Sequence, residues 1–524
     1  MTRRMTSERW VLTAVVALTI FGALLRLPFA GLGLWRDEAY TYFDVTQPTL
    51  GAMLDHIARV ETNPPLFFLL ERGIGSLFGF GAIALKSLPL ACGILLVPAT
   101  FFLASALGRP RAALLATWFI ATAESAIYYS QELRPYTLTA LLIVLTANAY
   151  VRWLTARRRP WWILWALLLA YTHYVGVIFI VGLAVSTALL RRADRPPLAR
   201  LVPALALLAV ALVPWVPMLV RQMRAGTPWV DFPPLTARPG AAIALMSYTF
   251  PGFLRDSRAG FLFAYFALIA LASYALFLHS RLRDRAANAG DAGAFVIAVS
   301  TLFVIGFEAA LGYRDQRYVF PMLAPAIVVY ARILDEAVTY AVRRAHQAPL
   351  VAALVLGYIG LGFAATSVKP TTYLAQHPKS GMEAVGETLA EGALRSAAIL
   401  VAPGYAAASC AFYAQGRTIY GFPRWNDPED FDIAAESAAW AAPNAVARTL
   451  DEIAQLAARG TALLAVVRPT SLAEPFGPSG ILPYQMTDVL TAELSRRYRV
   501  VQRYDFPANV EWTSMIVYDL RSLK

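Results

Sequence analysis

Charge is scarce in this chain and cysteine nearly missing. Only 15% of the 524 residues are charged, against 58% hydrophobic residues and a mean hydropathy of +0.52. Soluble domains carry about 25% charged residues, and disordered chains combine low hydrophobicity with high charge, so neither class fits. The two cysteines, Cys92 and Cys410, sit in unlike surroundings and make neither a disulfide framework nor a metal cluster. The last third has no Gly-rich phosphate loop, no metal-spaced His/Cys set and no nucleophile elbow. Nor is there an internal repeat of the kind many secondary transporters carry. What is plentiful is long apolar sequence, which predicts a polytopic α-helical membrane protein with one additional domain.

The formal net charge of +12 is unevenly spread. Residues 369–524 hold 14 basic and 16 acidic side chains, so the whole basic excess lies in residues 1–368. There it orients membrane spans rather than pointing to nucleic acid. Basic Met1–Arg9 precedes an apolar run from Trp10 to about Ala30 with no small-residue cleavage site, read as a first span with a cytoplasmic N-terminus.

Further runs that span, or nearly so, fall near 85–107, 111–129, 136–153, 161–174, 175–190, 199–220, 260–280, 292–312, 318–340 and 349–368. Short arginine-rich hinges separate alternate pairs, and placing all of these in the cytoplasm gives eleven spans. This excludes residues 64–80 as a span. That stretch is short, has Glu71–Arg72 at its middle, and reads as an amphipathic or re-entrant helix on the outer surface. Residues 1–368 form the expected membrane domain. Residues 369–524 form the expected extracytoplasmic α/β domain, with strand-like runs at Ala398–Val401, Leu463–Val467, Tyr498–Tyr504 and Met515–Leu520 between helical stretches at Glu383–Leu394 and Ala445–Ala458.

Polar residues that insertion does not require collect on the outer side. Asp37 and Glu38 follow the first span within Trp35–Tyr40, and fit either a general base with its orienting neighbour or a capped, solvated helix start. Glu61-Thr62-Asn63-Pro64-Pro65 enters the 64–80 helix, as a functional element or a plain turn. In the turn 128–136, Arg134 suits a phosphate or carboxylate, or simply neutralises Glu132, with Tyr136 beside them. A late outer turn carries Arg314, Asp315, Arg317 and Tyr318, and His173 lies in another, where a structural role competes with a catalytic one. Glu124 and Glu308, in or near spans, are either functional or paired with a neighbouring helix.

Taken in order and by side, the acidic pair after span one, the Pro-Pro helix, the E-x-R-P-Y turn and the R-Y turn resemble the lipid-dependent GT-C glycosyltransferases. More narrowly, they resemble the superfamily of protein O-mannosyltransferases and aminoarabinose transferases. The resemblance covers about residues 1–368. It implies an outer cavity for a polyprenyl-phosphate sugar, with Asp37 as base, Glu132 lining the cavity and Tyr318 near the lipid phosphate. Where some relatives place Glu-Lys before the helix proline, this chain reads Asn63-Pro64, so neither a phosphate-binding lysine nor a metal ligand is carried to that position.

The expected activity is glycosyl transfer on the outer face of the cytoplasmic membrane, with inversion, to a glycan, lipid or protein acceptor. The catalytic pair is Asp37 and Glu38. Substrate contacts are expected from Tyr40, Asn63, Glu132, Arg134, Tyr136, His173, Arg314, Arg317 and Tyr318. A divalent cation could assist at the phosphate, although no dedicated ligand set is visible. The competing reading is a transporter or flippase of lipid-linked glycans.

Overall fold

The computed structural model describes residues 2–28, 30–156, 159–190, 196, 198–225, 234, 236, 258–283, 288–312, 316–343, 379–424, 433–471, 478–508 and 510–523. Among these, seven helical segments are long and apolar enough to cross a membrane: Arg9–Arg26, Ala82–Ala106, Tyr136–Thr155, Ala199–Arg224, Tyr265–Arg283, Ala289–Leu311 and Arg317–Tyr340. The chain is an integral membrane protein. The expected run 349–368, the proposed boundary at 368/369 and most of the loop 221–258 lie outside the described residues.

The expected run 111–129 is two helices, Pro110–Thr122 and Glu124–Tyr129, with Ala123 extended between them. Such a break frees carbonyls that water cannot satisfy in hydrocarbon. Here Arg26, fully buried, donates to the carbonyls of Ile120 and Ala121 at 3.1 and 2.9 Å and to Ser130 Oγ at 3.2 Å. The expected runs 161–174 and 175–190 are the helices Trp162–Ala170 and Tyr174–Ala188, joined by a turn at 171–173.

Residues 64–80 form the 13-residue helix Leu66–Phe78, about 20 Å long at 1.5 Å per residue and so short of the hydrocarbon thickness. Leu77 and Phe78 are exposed, while Glu71 is buried. Arg72 turns back to the carbonyls of Val45 and Gln47 at 2.9 and 2.6 Å, capping the C-terminus of the helix Arg36–Thr46. A further helix, Leu50–Val60, completes the connection between helices Thr2–Arg26 and Ala82–Ala106.

The C-terminal part is a five-stranded sheet in the order β2-β1-β3-β5-β4. β1 (Ala398–Val401) runs parallel to β2 (Ile419–Gly421) and β3 (Leu463–Ser471), whereas β5 (Glu511–Leu523) is antiparallel to β3 and β4 (Tyr498–Phe506). Ile399, Ala465 and Val517 pack on one face with Met382 and Val385; Leu400, Val466 and Tyr518 pack on the other with Leu450 and Leu490. Two covered faces explain why β1 and the start of β3 read as unbroken apolar runs.

This domain docks directly on the segment between helices Thr2–Arg26 and Ala82–Ala106. The Phe412 ring meets Tyr42 edge-on at 4.8 Å, and Tyr413 donates to the Leu34 carbonyl at 3.1 Å. A Cβ at Gly33 would lie 2.0 Å from the Tyr413 hydroxyl, so this approach requires glycine.

Candidate active site

The site forms where the segment between the first two long apolar helices, the 130–136 turn and the helix Gln316–Val319 converge. Helix Arg36–Thr46 begins at Trp35, whose backbone N–H donates to Glu38 Oε2 at 3.2 Å in a capping-box arrangement. Asp37, one residue into the helix, has its two oxygens on different cations. Arg36 Nε donates to Oδ1 at 3.1 Å and Arg317 Nη1 to Oδ2 at 2.9 Å. Burial alone would push this carboxyl up; the guanidiniums of Arg36, Arg317 and Arg134 outweigh it and hold the group at about 2.

Arg134 contacts the same helix but spends its fork elsewhere. It donates to Glu61 Oε1 and Oε2 at 2.5 and 3.0 Å, to the Asp37 carbonyl at 3.2 Å and to Thr41 Oγ1 at 3.1 Å. The partner of Arg134 is therefore Glu61, not the nearby Glu132, and the pair ties the 130–136 turn to the end of helix Leu50–Val60. Asn63 supports it, its amide donating to Glu61 Oε2 at 3.4 Å while its carbonyl accepts from Gln222 at 3.3 Å.

Glu38 points away from Asp37 into a buried charge cluster. Its Oε1 accepts from Leu133 N at 2.8 Å and lies 3.2 Å from Lys86 Nζ and 3.4 Å from Lys379 Nζ. Burial opposes its ionisation, but the two ammonium groups and the N–H donors of Leu133 and Trp35 bring its carboxyl below the ordinary value. Glu132, 3.6 Å from Lys379, is shifted the other way: burial raises it, and Lys379 only partly offsets burial and the nearby Glu38.

The remaining predicted residues take several places. The Tyr136 ring packs against Tyr129 at 5.2 Å and His173 at 6.2 Å. His173 N-caps helix Tyr174–Ala188 by accepting from Val175 N at 3.2 Å, and burial lowers its imidazole to about 3, a neutral structural role. The Tyr40 hydroxyl donates to the Tyr405 carbonyl of the C-terminal domain at 2.6 Å. Tyr318 follows Arg317 on the helix Gln316–Val319, half-buried. Arg314 and Asp315 lie outside the described residues.

The site also contains groups not selected from sequence. Arg36, held between the Trp35 and Tyr405 rings, was hidden by its acidic neighbours. Lys86 had a signal, a lone lysine at the mouth of an apolar run. Lys379 had none.

Among the described residues, no three His, Cys, Asp or Glu side chains gather as metal ligands. The described carboxylates nearest the site are already committed, Asp37 to two guanidiniums and Glu61 to Arg134. A divalent cation bound here would have to displace one of these cations from its carboxylate.

No protein-family model matches the chain, and no curated protein matches it. Solved structures do share its fold. ArnT from Cupriavidus metallidurans in the apo state aligns with a TM-score of 0.58 at 12% identity, over 97% of this chain and 98% of its own. The same protein bound to undecaprenyl phosphate aligns at 0.53 and 13%, with the same coverage. The oligosaccharyltransferase AglB from Archaeoglobus fulgidus, in complex with an inhibitory peptide and a dolichol-phosphate, aligns at 0.52 and 12%, over 97% of this chain and 74% of its own. The Archaeoglobus enzyme has also been solved with Zn and sulfate, and aligns at 0.52 and 12% over 95% and 72%. The chain thus shares the fold of ArnT and of the Archaeoglobus oligosaccharyltransferase.

Proposed function

We propose that this protein is a membrane glycosyltransferase that moves a sugar from a polyprenyl-phosphate donor to an acceptor on the extracytoplasmic face of the cytoplasmic membrane. The carrying observation is Asp37, an ionised carboxylate bridged by Arg36 and Arg317. Its support is a fold shared with proteins crystallised with undecaprenyl or dolichol phosphate.

The acceptor oxygen attacks the anomeric carbon as the bond to the phosphate oxygen breaks, inverting that centre. The acceptor proton goes to Asp37, and the departing phosphate takes the electron pair. Its charge is met by Arg317, with Tyr318 adjacent. Arg134, paired with Glu61 through its two terminal nitrogens, positions the Asp37 backbone, while its buried Nε has no partner among the described residues.

A carboxyl at about 2 is a weak base, so the donor has to change it. Incoming phosphate competes for Arg317 and draws this cation off Asp37 Oδ2, making the carboxylate more basic once donor is bound. Reaction then depends on the order of arrival.

About 30 Å away, at the far end of helix Ala82–Ala106, the helix ends are locked together. Arg332 reaches the carbonyls of Leu107 and Gly290 and the Asp291 carboxylate, and Arg109 bridges Asp335 and Glu336 at 3.0 Å each. This lock supports a one-sided site over alternating access. No step is routed through a metal.

The test is reconstituted protein given a panel of polyprenyl-phosphate sugars and candidate acceptors, with release of lipid phosphate as readout. Asp37→Asn is expected to bind donor and release lipid phosphate far more slowly. Undiminished release by that variant overturns the assignment of Asp37, and silence of the wild type with every donor and acceptor overturns the activity.

A further inference from the structure

Lys379 is the first described residue of the C-terminal domain, yet its ammonium is buried inside the membrane-edge site with 1% of the side chain exposed. It lies 3.4 Å from Glu38 and 3.6 Å from Glu132, donates to the Gln131 carbonyl at 3.2 Å and sits 5.2 Å from the centre of the Tyr128 ring. Each of these side-chain contacts is with the membrane part, whereas the Lys379 carbonyl accepts from Val510 N and Glu511 N of the sheet domain at 3.0 Å each. The next residue is anchored in the sheet domain: Ser380 Oγ donates to Glu511 Oε2 at 2.6 Å, and the Gly381 N–H donates to the Glu511 carbonyl at 3.0 Å.

We propose that Lys379 is a positioning residue through which the C-terminal domain completes the active site, balancing the buried Glu38–Glu132 pair and holding the 130–134 turn against the helix that carries Asp37. This inference rests on the function proposed above. The turn has two ties to that helix. Leu133 N–H donates to Glu38, and Arg134 donates to the Asp37 carbonyl and to Thr41.

Without Lys379, two carboxylates share a dry site with one remaining close cation, Lys86, and like charges in such a place cannot both stay ionised. The other charged or titratable groups that act on the pair are Arg317 and Tyr128 from the neighbouring turns and Tyr413 from the C-terminal domain, which in turn faces Glu383. None of these supplies a cation that bridges both carboxylates. A carboxyl that takes up a proton, or swings out to water, loosens the turn. Arg134 then loses its register on the Asp37 carbonyl.

The experiment uses full-length protein in lipid nanodiscs, comparing wild type, Lys379→Met and Lys379→Arg. The readouts are donor-dependent kcat and KM, and hydrogen exchange of the peptides covering 128–136 and 382–389. Lys379→Met is expected to lower kcat by ~10- to 100-fold, as an ångström-scale misplacement does. KM is expected to change much less, and exchange at 128–136 to rise while 382–389 stays protected. Lys379→Arg is expected to recover most of kcat.

Unchanged exchange at 128–136 in Lys379→Met overturns the proposal. So does faster exchange with kcat unaltered, which would make Lys379 domain glue alone. Should wild type transfer nothing, the proposed function fails, while the exchange measurement still decides whether Lys379 holds the turn.

Discussion

Arg317 Nη1 stands 2.9 Å from Asp37 Oδ2, joining the helix Arg36–Thr46 to the start of a helix 280 positions later in the chain. Neither residue meets the other through local sequence. Their contact sets both the charge of the candidate base and its availability. Removing the charge while keeping the shape should therefore separate binding from chemistry. Asp37→Asn is expected to lower kcat by ~10²- to 10⁴-fold, the usual scale for a lost general base, with donor affinity nearly unchanged. Donor binding to labelled protein and single-turnover release check the two halves.

The same contact sets the pH response. A lowered carboxyl is ionised above its folded value and loses its charge as pH falls through that value. With Asp37 at about 2, kcat/KM should show no acid limb from this group down to about pH 4. Arg317→Gln should raise that limb by ~1 to 3 units, since an adjacent guanidinium lowers a carboxyl by that much. If bound phosphate competes for Arg317, the acid limb of kcat lies above that of kcat/KM in wild type. Paired pH profiles measure both.

Arg134 and Glu61 are expected to behave as one unit. Both are buried, so Arg134→Ala strands a carboxylate and should cost about 3–5 kcal/mol of stability. Replacing both, as Arg134→Met with Glu61→Gln, should recover much of that loss. Thermal unfolding of the three variants in one detergent tests the coupling.

Gly93 offers a purely steric probe. A Cβ there would fall 1.9 Å from Ser130 Oγ and 2.6 Å from its Cβ, and Ser130 donates to the Ala126 carbonyl at 2.5 Å while accepting from Arg26. Gly93→Ala should destabilise by about 1–3 kcal/mol as an overpacked site. It should also lower transfer, because Ser130 opens the turn that bears Glu132 and Arg134. Melting temperature and kcat, read together, test this. A stable variant with full activity would show that the turn can yield.

Much of the architecture was legible because hydrocarbon imposes a length and a polarity that sequence must obey. The short helix Leu66–Phe78 follows from the charge of Glu71–Arg72, and β1, β3, β4 and β5 follow from their apolar or alternating runs. β2 was missed because three residues carry no period, and the break at Ala123 because Arg26 satisfies the freed carbonyls from another helix.

The site divided in the same way. Asp37, Glu132, Arg134 and Arg317 stood out because polar groups at a membrane edge are not required for insertion. Their pairing could not be read. Arg134 chooses Glu61 over Glu132 although Glu132 is two residues away, and Lys379 reaches Glu38 from another domain.

The scarcity of charge determined by itself that this chain lives in a membrane, and the uneven spread of its few charges singled out the segments that meet around Asp37. Tertiary structure alone decided which cation faces which carboxylate. Solvation makes insertion a property of each segment's own composition. Coulomb interaction in a dry site depends on distances of a few ångströms between groups that chain order leaves far apart.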